Sequence, residues 1–301
     1  MKLAYIYIAC HGHSGSTLLS KLFGTNPSML NLGEIKHFDE YYLKNDSCGC
    51  GLLLQECPFW QAVANDLQQQ DIVVRKKFPT DGYRSKSRLL NQLYQAILLF
   101  SPQFNKILSL IPNTIENKNQ RATSNHWKLI NTIARKAQRR ILIDKSMSIS
   151  RFLELLQTKP NHIDMYLLHL VRDGRANSYS YYRRYNTQLD KAANQWKEIN
   201  QRIELIKKIR TIKKTTLVRY EDLVNDPTKT INHIIDKFDL TISFDKSIEL
   251  EQTFDHSVGG NEDRHSGYKS IKLEEKCKKG ISNKELEQIE LIASRLNNKY
   301  G

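Results

Sequence analysis

Short apolar runs that stop at polar clusters, each followed by apolar positions at helical spacing, recur along this chain. The first is "LAYIYIA" (Leu3 to Ala9), which ends at a Gly/Ser cluster and predicts a buried strand. "STLLSKLFG" follows, with Leu18, Leu19, Leu22 and Phe23 on one helical face and Gly24 as a stop. The same grammar predicts strands at "RILID" (Arg140 to Asp144), "IDMYLLHLV" (Ile163 to Val171) and "TTLVRY" (Thr215 to Tyr220). The last two run into "RDGRA" and "EDLVNDP", and each then enters a helix.

Strands alternating with helices predict an α/β chain: a P-loop-like three-layer fold with a central parallel sheet flanked by helices. Ligands of such sheets sit beyond the carboxyl ends of the strands, where each of these polar clusters falls. Residues 60–135 break the alternation and read as helices ("RLLNQLYQAILLF", "WKLINTIARKAQRR") joined by polar loops. No linker composition flanks them, so the expectation is a single domain over residues 1–301 with a helical insertion. The end, "SNKELEQIELIASRLNNKYG", predicts a helix capped by Ser282 or Asn283, with Leu286, Ile289, Ile292 and Leu296 as its stripe.

Composition adds an asymmetry of charge. The chain of 301 residues carries a formal net charge of +14. Residues 71–140 hold 14 Lys and Arg against Asp71, Asp81 and Glu116, a local excess of +11. That excess fits either solvated helix faces or an anionic partner such as a nucleic acid, a membrane surface, a phosphorylated cofactor or an acidic glycan. No run approaches the roughly 20 apolar residues of a membrane span. Lys2 is followed by only seven largely apolar residues, so no secretory leader is read and a reducing, cytoplasmic setting is expected.

Five cysteines, Cys10, Cys48, Cys50, Cys57 and Cys277, imply no disulfide framework. Three of them crowd into "CGCGLLLQECPFW". That group fits three reduced thiols, a Cys50–Cys57 or Cys48–Cys57 disulfide, or zinc with His37 as a fourth ligand; its C-x-C pair is tight for zinc.

The first polar cluster, "GHSGST", has the shape of an anion-binding loop. Gly12 and Gly15 permit a tight turn, and the amides of Ser14 to Thr17 then point inward at a helix N-terminus. A triphosphate loop would place Lys after the last glycine; here Ser16 follows Gly15, so the loop suits a single phosphate. A generic Gly/Ser turn has the same composition. The second cluster, "LVRDGRANSYSYYRR", places Arg172 at a strand end and Ser180 eight residues on, within reach of one anion beyond the sheet. Read alone, it is a surface Arg and a helix Ser.

Together the two clusters resemble the sulfotransferase family that uses 3′-phosphoadenosine 5′-phosphosulfate. "LGEIKHF", "IDKS", "VRYEDLVNDP" and "VGGNEDR" also stand in that family's order, as in its tyrosylprotein, carbohydrate and bacterial branches. The resemblance implies that Gly12, His13, Ser14, Gly15, Ser16 and Thr17 hold the 5′-phosphosulfate. Arg172 and Ser180 would hold the 3′-phosphate, with Arg264 closing over it; the Gly259-Gly260-Asn261 loop that leads to Arg264 reads equally as an ordinary turn.

The family usually carries Lys or Arg where this chain has His13. The charge on the departing phosphate would be met by His13, protonated by the bound anion, or by Lys145 of "IDKS". Glu34 matches the family's general base, although a salt-bridge partner of Lys36 is its plainer reading. Asp173 reads as a helix cap, and Tyr220 and Glu221 as structural.

The implied activity is transfer of a sulfuryl group to a hydroxyl or amine, with no metal required and adenosine 3′,5′-bisphosphate as product. The implied partner is a small-molecule or glycan acceptor, with the basic segment favouring an anionic one. Two rivals stay open: a P-loop nucleotide kinase, which the missing loop lysine opposes, and a nucleic-acid-binding protein using residues 71–140, for which no fingerprint is present.

Overall fold

A computed structural model describes residues 2–70, 72, 74, 78–81, 88–100, 113–244, 255–260 and 281–300. Arg264, Cys277 and part of the basic segment lie outside the described residues.

Five strands form one parallel sheet: β1 (Leu3–Ala9), β2 (Met29–Gly33), β3 (Ile141–Asp144), β4 (Ile163–Val171) and β5 (Lys214–Arg219). Their spatial order is β2-β3-β1-β4-β5. β1 lies between β3 and β4, so strand order reverses beside it, and the crevice for a ligand opens beyond its carboxyl end.

The pleat sorts the core into two layers. Tyr5, Tyr7, Leu142, Met165 and Leu167 face one way. They pack against α3 (Pro58–Gln69), α5 (Asn113–Ala137), α6 (Ile149–Thr158) and the end of α8 (Leu189–Ile206). Ile6, Ile8, Ile143, Leu168 and Leu170 face the other way. They meet α1 (Ser16–Gly24), α9 (Tyr220–Asn225) and α10 (Pro227–Lys237). Strands buried on both faces read as continuous apolar runs, which is why these segments stood out in the sequence. A third cluster joins Val171 and Trp196 to the final helix, α11 (Asn283–Tyr300), through Ile289, Ala293 and Leu296. Ser282 and Glu285 cap α11 reciprocally: the Ser282 amide donates to Glu285 Oε2 at 2.9 Å, and the Glu285 amide donates back to Ser282 Oγ at 3.4 Å.

The helices expected in residues 60–135 are present: α3, α4 (Arg88–Phe100) and α5, with short α2 (Phe38–Leu43) before them. α5 runs beyond the segment anticipated, starting at Asn113. α7 (Gly174–Tyr185) follows β4 and is capped by Asp173, whose carboxylate accepts from the Arg175 and Ala176 amides, as expected. β2 was not anticipated. Asn31 interrupts its apolar run; its side-chain amide donates to Asp255 Oδ2 at 3.0 Å, and Asn31 Oδ1 accepts from the Gly33 amide.

Candidate active site

The loop between β1 and α1 lies at the switch in strand order. Gly15 stands at the N-cap of α1 with φ +90°, a conformation that favours glycine, and no side chain caps the helix. A Cβ on Gly15 would collide with the ring of Tyr220, so the loop also needs glycine for lack of space. No acidic residue lies in the first turn of α1, so the positive end of its dipole is not offset within the helix.

Asn177 of α7 holds this loop in shape. Its side-chain amide donates to the Gly12 carbonyl and to Ser14 Oγ, each at 3.0 Å, and its Oδ1 lies 2.7 Å from His11 Nδ1. Burial lowers the His11 imidazole from its ordinary value of 6.5, so it stands neutral and donates from Nδ1 to Asn177. The sequence reading missed Asn177; its only signal is a polar residue on the face of α7 that turns toward the loop.

The second cluster lies on the same side of the sheet. Arg172, almost fully buried at the tip of β4, donates from Nη1 to the His13 carbonyl at 3.1 Å and lies over the Tyr220 ring, 4.6 Å from its centroid. Ser180 Oγ lies 3.2 Å from His13 Nδ1. The structure therefore brings Arg172, Ser180 and His13 together, and Tyr220 is the floor under both Gly15 and Arg172. Glu221 is structural too: its Oε1 accepts from the Asp173 amide at 3.0 Å. The His13 ring stands edge-on to Tyr181 and Tyr185, on the Ser180 side of the loop.

Lys145 approaches from the β3 tip. It is 2% exposed, and its Nζ donates to Thr17 Oγ1 at 3.2 Å. Its amide donates to the Gly33 carbonyl at 3.0 Å, which sets it beside the segment carrying Glu34. The Tyr41 hydroxyl lies 3.5 Å from Glu34 Oε2. A Cβ built on Gly260 would meet both Lys145 Nζ and Glu34 Oε1, so these groups and the 258–260 turn converge on one point. Gly33 is held in turn by Val258, whose carbonyl accepts from the Glu34 amide at 2.7 Å and whose amide donates to Leu32.

Next to the loop a cleft of about 360 Å³ opens between α4, α6 and α8. Lys36, Tyr94, Gln95, Ser148 and Arg202 line it, and it reaches Cys10 and Gly12. Among the described residues that line it there is no Asp or Glu, and Arg202 Nη2 lies 3.8 Å from Glu198 Oε2. Burial pushes the Cys10 thiol up to about 12, so it is no nucleophile at neutral pH.

The cysteine group is as expected in its thiols and departs from expectation in its histidine. His37 is turned away from it, with Nδ1 3.8 Å from Asp81 and 3.9 Å from Glu40. His256 takes the place foreseen for His37. Cys48, Cys50 and Cys57 are free thiols, with Cys50 Sγ and Cys57 Sγ 3.7 Å apart, so neither of the two alternative disulfides is formed.

Among the described residues no helix is long and apolar enough to cross a membrane. No protein of curated function matches the sequence. The chain is similar in structure to the sulfotransferase domain from the curacin biosynthetic pathway (TM-score 0.51, 18% identity, covering 98% of this chain and 97% of that one). It also aligns with the sulfotransferase domain of the Synechococcus PCC 7002 olefin synthase (TM-score 0.49, 22% identity, covering 97% and 94%). The first likeness supports the fold alone. The profile of the sulfotransferase family matches residues 6–245, a span that holds the β1–α1 loop, Glu34, Lys145, Arg172 and Ser180. On that match the chain belongs to the sulfotransferase family.

Proposed function

We propose that the protein transfers a sulfuryl group from 3′-phosphoadenosine 5′-phosphosulfate to an acceptor hydroxyl or amine. The observation that carries this reading is the pairing of two anion cradles at adjacent strand tips, joined by the Arg172–His13 bond. The donor set is right for a nucleotide with two separate anionic ends. One cradle offers the α1 amides, Ser14, Ser16, Thr17 and Lys145; the other offers Arg172, Ser180 and His13. Arg264 is assigned to the second by resemblance only.

In this reading Glu34 accepts the acceptor's proton as its oxygen or nitrogen forms a bond to sulfur. The bond from sulfur to the bridging oxygen breaks in line, and Lys145 offsets the charge that develops on that oxygen. Lys145 takes this role rather than His13, because Lys145 reaches Thr17 while His13 faces Ser180. His13 then serves the 3′-phosphate end. The cleft beside the loop takes the acceptor, and Lys36 and Arg202 on its wall favour an anionic one, an acidic glycan among them.

The test is a melting scan with adenosine 3′,5′-bisphosphate beside one with magnesium and ATP. A hundredfold excess over Kd stabilises by about 2.7 kcal/mol. Stabilisation by the bisphosphate alone, followed by labelled sulfate transfer in an acceptor screen, supports the reading. Stabilisation by ATP alone returns the kinase.

A further inference from the structure

The crowded cysteines form a site of their own. Cys48 and Cys50 sit on a small loop closed by pairing of Ser47 with Leu53 and by the Cys48 amide donating to Leu52 at 2.7 Å. Cys57 is the N-cap of α3, where the helix dipole favours a thiolate. His256 arrives from the far end of the chain. One ligand atom from each of the four lies within 4.8 Å of the others.

Three of the six ligand-to-ligand separations match the edges of a tetrahedral site, and all six lie within 4.8 Å. Tetrahedral zinc, with Zn–S about 2.3 Å and Zn–N about 2.0–2.1 Å, has S···S edges of about 3.8 Å and S···N edges of about 3.6 Å. Cys50 Sγ to Cys57 Sγ is 3.7 Å; Cys48 Sγ and Cys57 Sγ lie 3.6 Å and 3.4 Å from His256 Nδ1. The sequence objection, that C-x-C is tight for zinc, is answered by the glycines. Gly51 takes φ +90°, and a Cβ on Gly49 would stand 2.8 Å from the Asp255 carbonyl.

The surroundings fix both the ring and the backbone of His256. Phe59 stacks on its ring, with centroids 4.6 Å apart and planes within 11°, and Trp60 Nε1 donates to the His256 carbonyl at 3.0 Å.

We propose that Cys48, Cys50, Cys57 and His256 bind one zinc ion in a closed structural site that takes no part in sulfuryl transfer. The three thiols release their protons to solvent as the metal binds. What the metal fixes is the path of residues 255–258. Val258 pairs with both Cys48 and Gly33, and its carbonyl accepts from the Glu34 amide. The zinc thus rivets the strap that positions the segment carrying Glu34 and the carbonyl that receives the Lys145 amide.

The experiment uses the full chain, purified under reducing conditions without chelator, and reads bound metal by elemental analysis and by cobalt substitution. It needs neither donor nor acceptor, so its outcome is independent of the assigned reaction. About one zinc per chain is expected, and cobalt should give thiolate charge-transfer and tetrahedral d–d bands. Cys50→Ser and His256→Gln should weaken zinc binding at least about tenfold, while His37→Gln should keep it. If a variant fails to fold, the wild-type metal content and cobalt spectrum still decide. Wild-type protein with no zinc that takes up no cobalt overturns the proposal. So do a Cys50–Cys57 disulfide found by mass spectrometry and metal retained in both ligand variants.

Discussion

The guanidinium of Arg172 donates a hydrogen bond to the main-chain carbonyl of His13 at 3.1 Å. This bond ties the tip of β4 to the loop that leaves β1, and it leaves the rest of the guanidinium fork for an anion. Arg172→Ala should therefore weaken adenosine 3′,5′-bisphosphate binding by more than one hydrogen bond's worth. A charged pair contributes about 1.5–3 kcal/mol, which is roughly 10- to 150-fold in affinity. Arg172→Lys, which keeps the charge and loses the fork, should fall between. Calorimetric affinities that match wild type would remove Arg172 from the site.

Glu34→Gln should separate binding from chemistry. Its backbone bond to Val258 does not depend on the carboxylate. Bisphosphate affinity should stay within about twofold, while turnover drops by about 10²–10⁴, the usual worth of a general base. Turnover near wild type would show that another group takes the proton.

Gly15→Ala tests whether the loop's shape is required. The substitution meets both a φ of +90° and the ring of Tyr220. A cost of at least about 1–3 kcal/mol in urea unfolding is expected from the backbone conformation alone. Adding Tyr220→Leu should return only the steric part, and full recovery would show that the conformation is not strained.

Acid should destabilise the fold through its buried histidines. Burial holds His11 below 6.5, and burial with nearby Arg151 holds His126 well below it. Both imidazoles are neutral in the folded chain, whereas the unfolded chain takes up protons as pH falls through about 6.5. Stability is then fully present above that pH and declines below it. Urea midpoints at pH 7.5 and 5.5 should show the fall, and His126→Gln should shrink it; an unchanged pH dependence would contradict the assignment.

Four of the five strands and the β1–loop–α1 turn were legible because each joins a strong local signal to a buried apolar run. β2 was not, because Asn31 sits in its middle and finds its partner only in Asp255, 224 positions away. Asn177 was illegible for a related reason: a buried amide is recognised by what it touches, and its partners belong to another loop. The fourth member of the cysteine group was misplaced by sequence proximity. His37 is near in the chain, but folding over β2 brings His256 there instead. Lys145 and Arg172 were singled out through the resemblance of their motifs, and the structure sets both at strand tips beside the β1–α1 loop.

Arg202 donates to Gln95 Oε1 at 2.8 Å in the cleft beside the β1–α1 loop, Gln95 coming from α4 and so from the stretch that breaks the alternating pattern. One wall of that cleft is thus supplied by a helix outside the alternation of strands and helices. If the cleft takes the acceptor as proposed, α4 is the first place to vary acceptor preference while the strand tips keep their sequence.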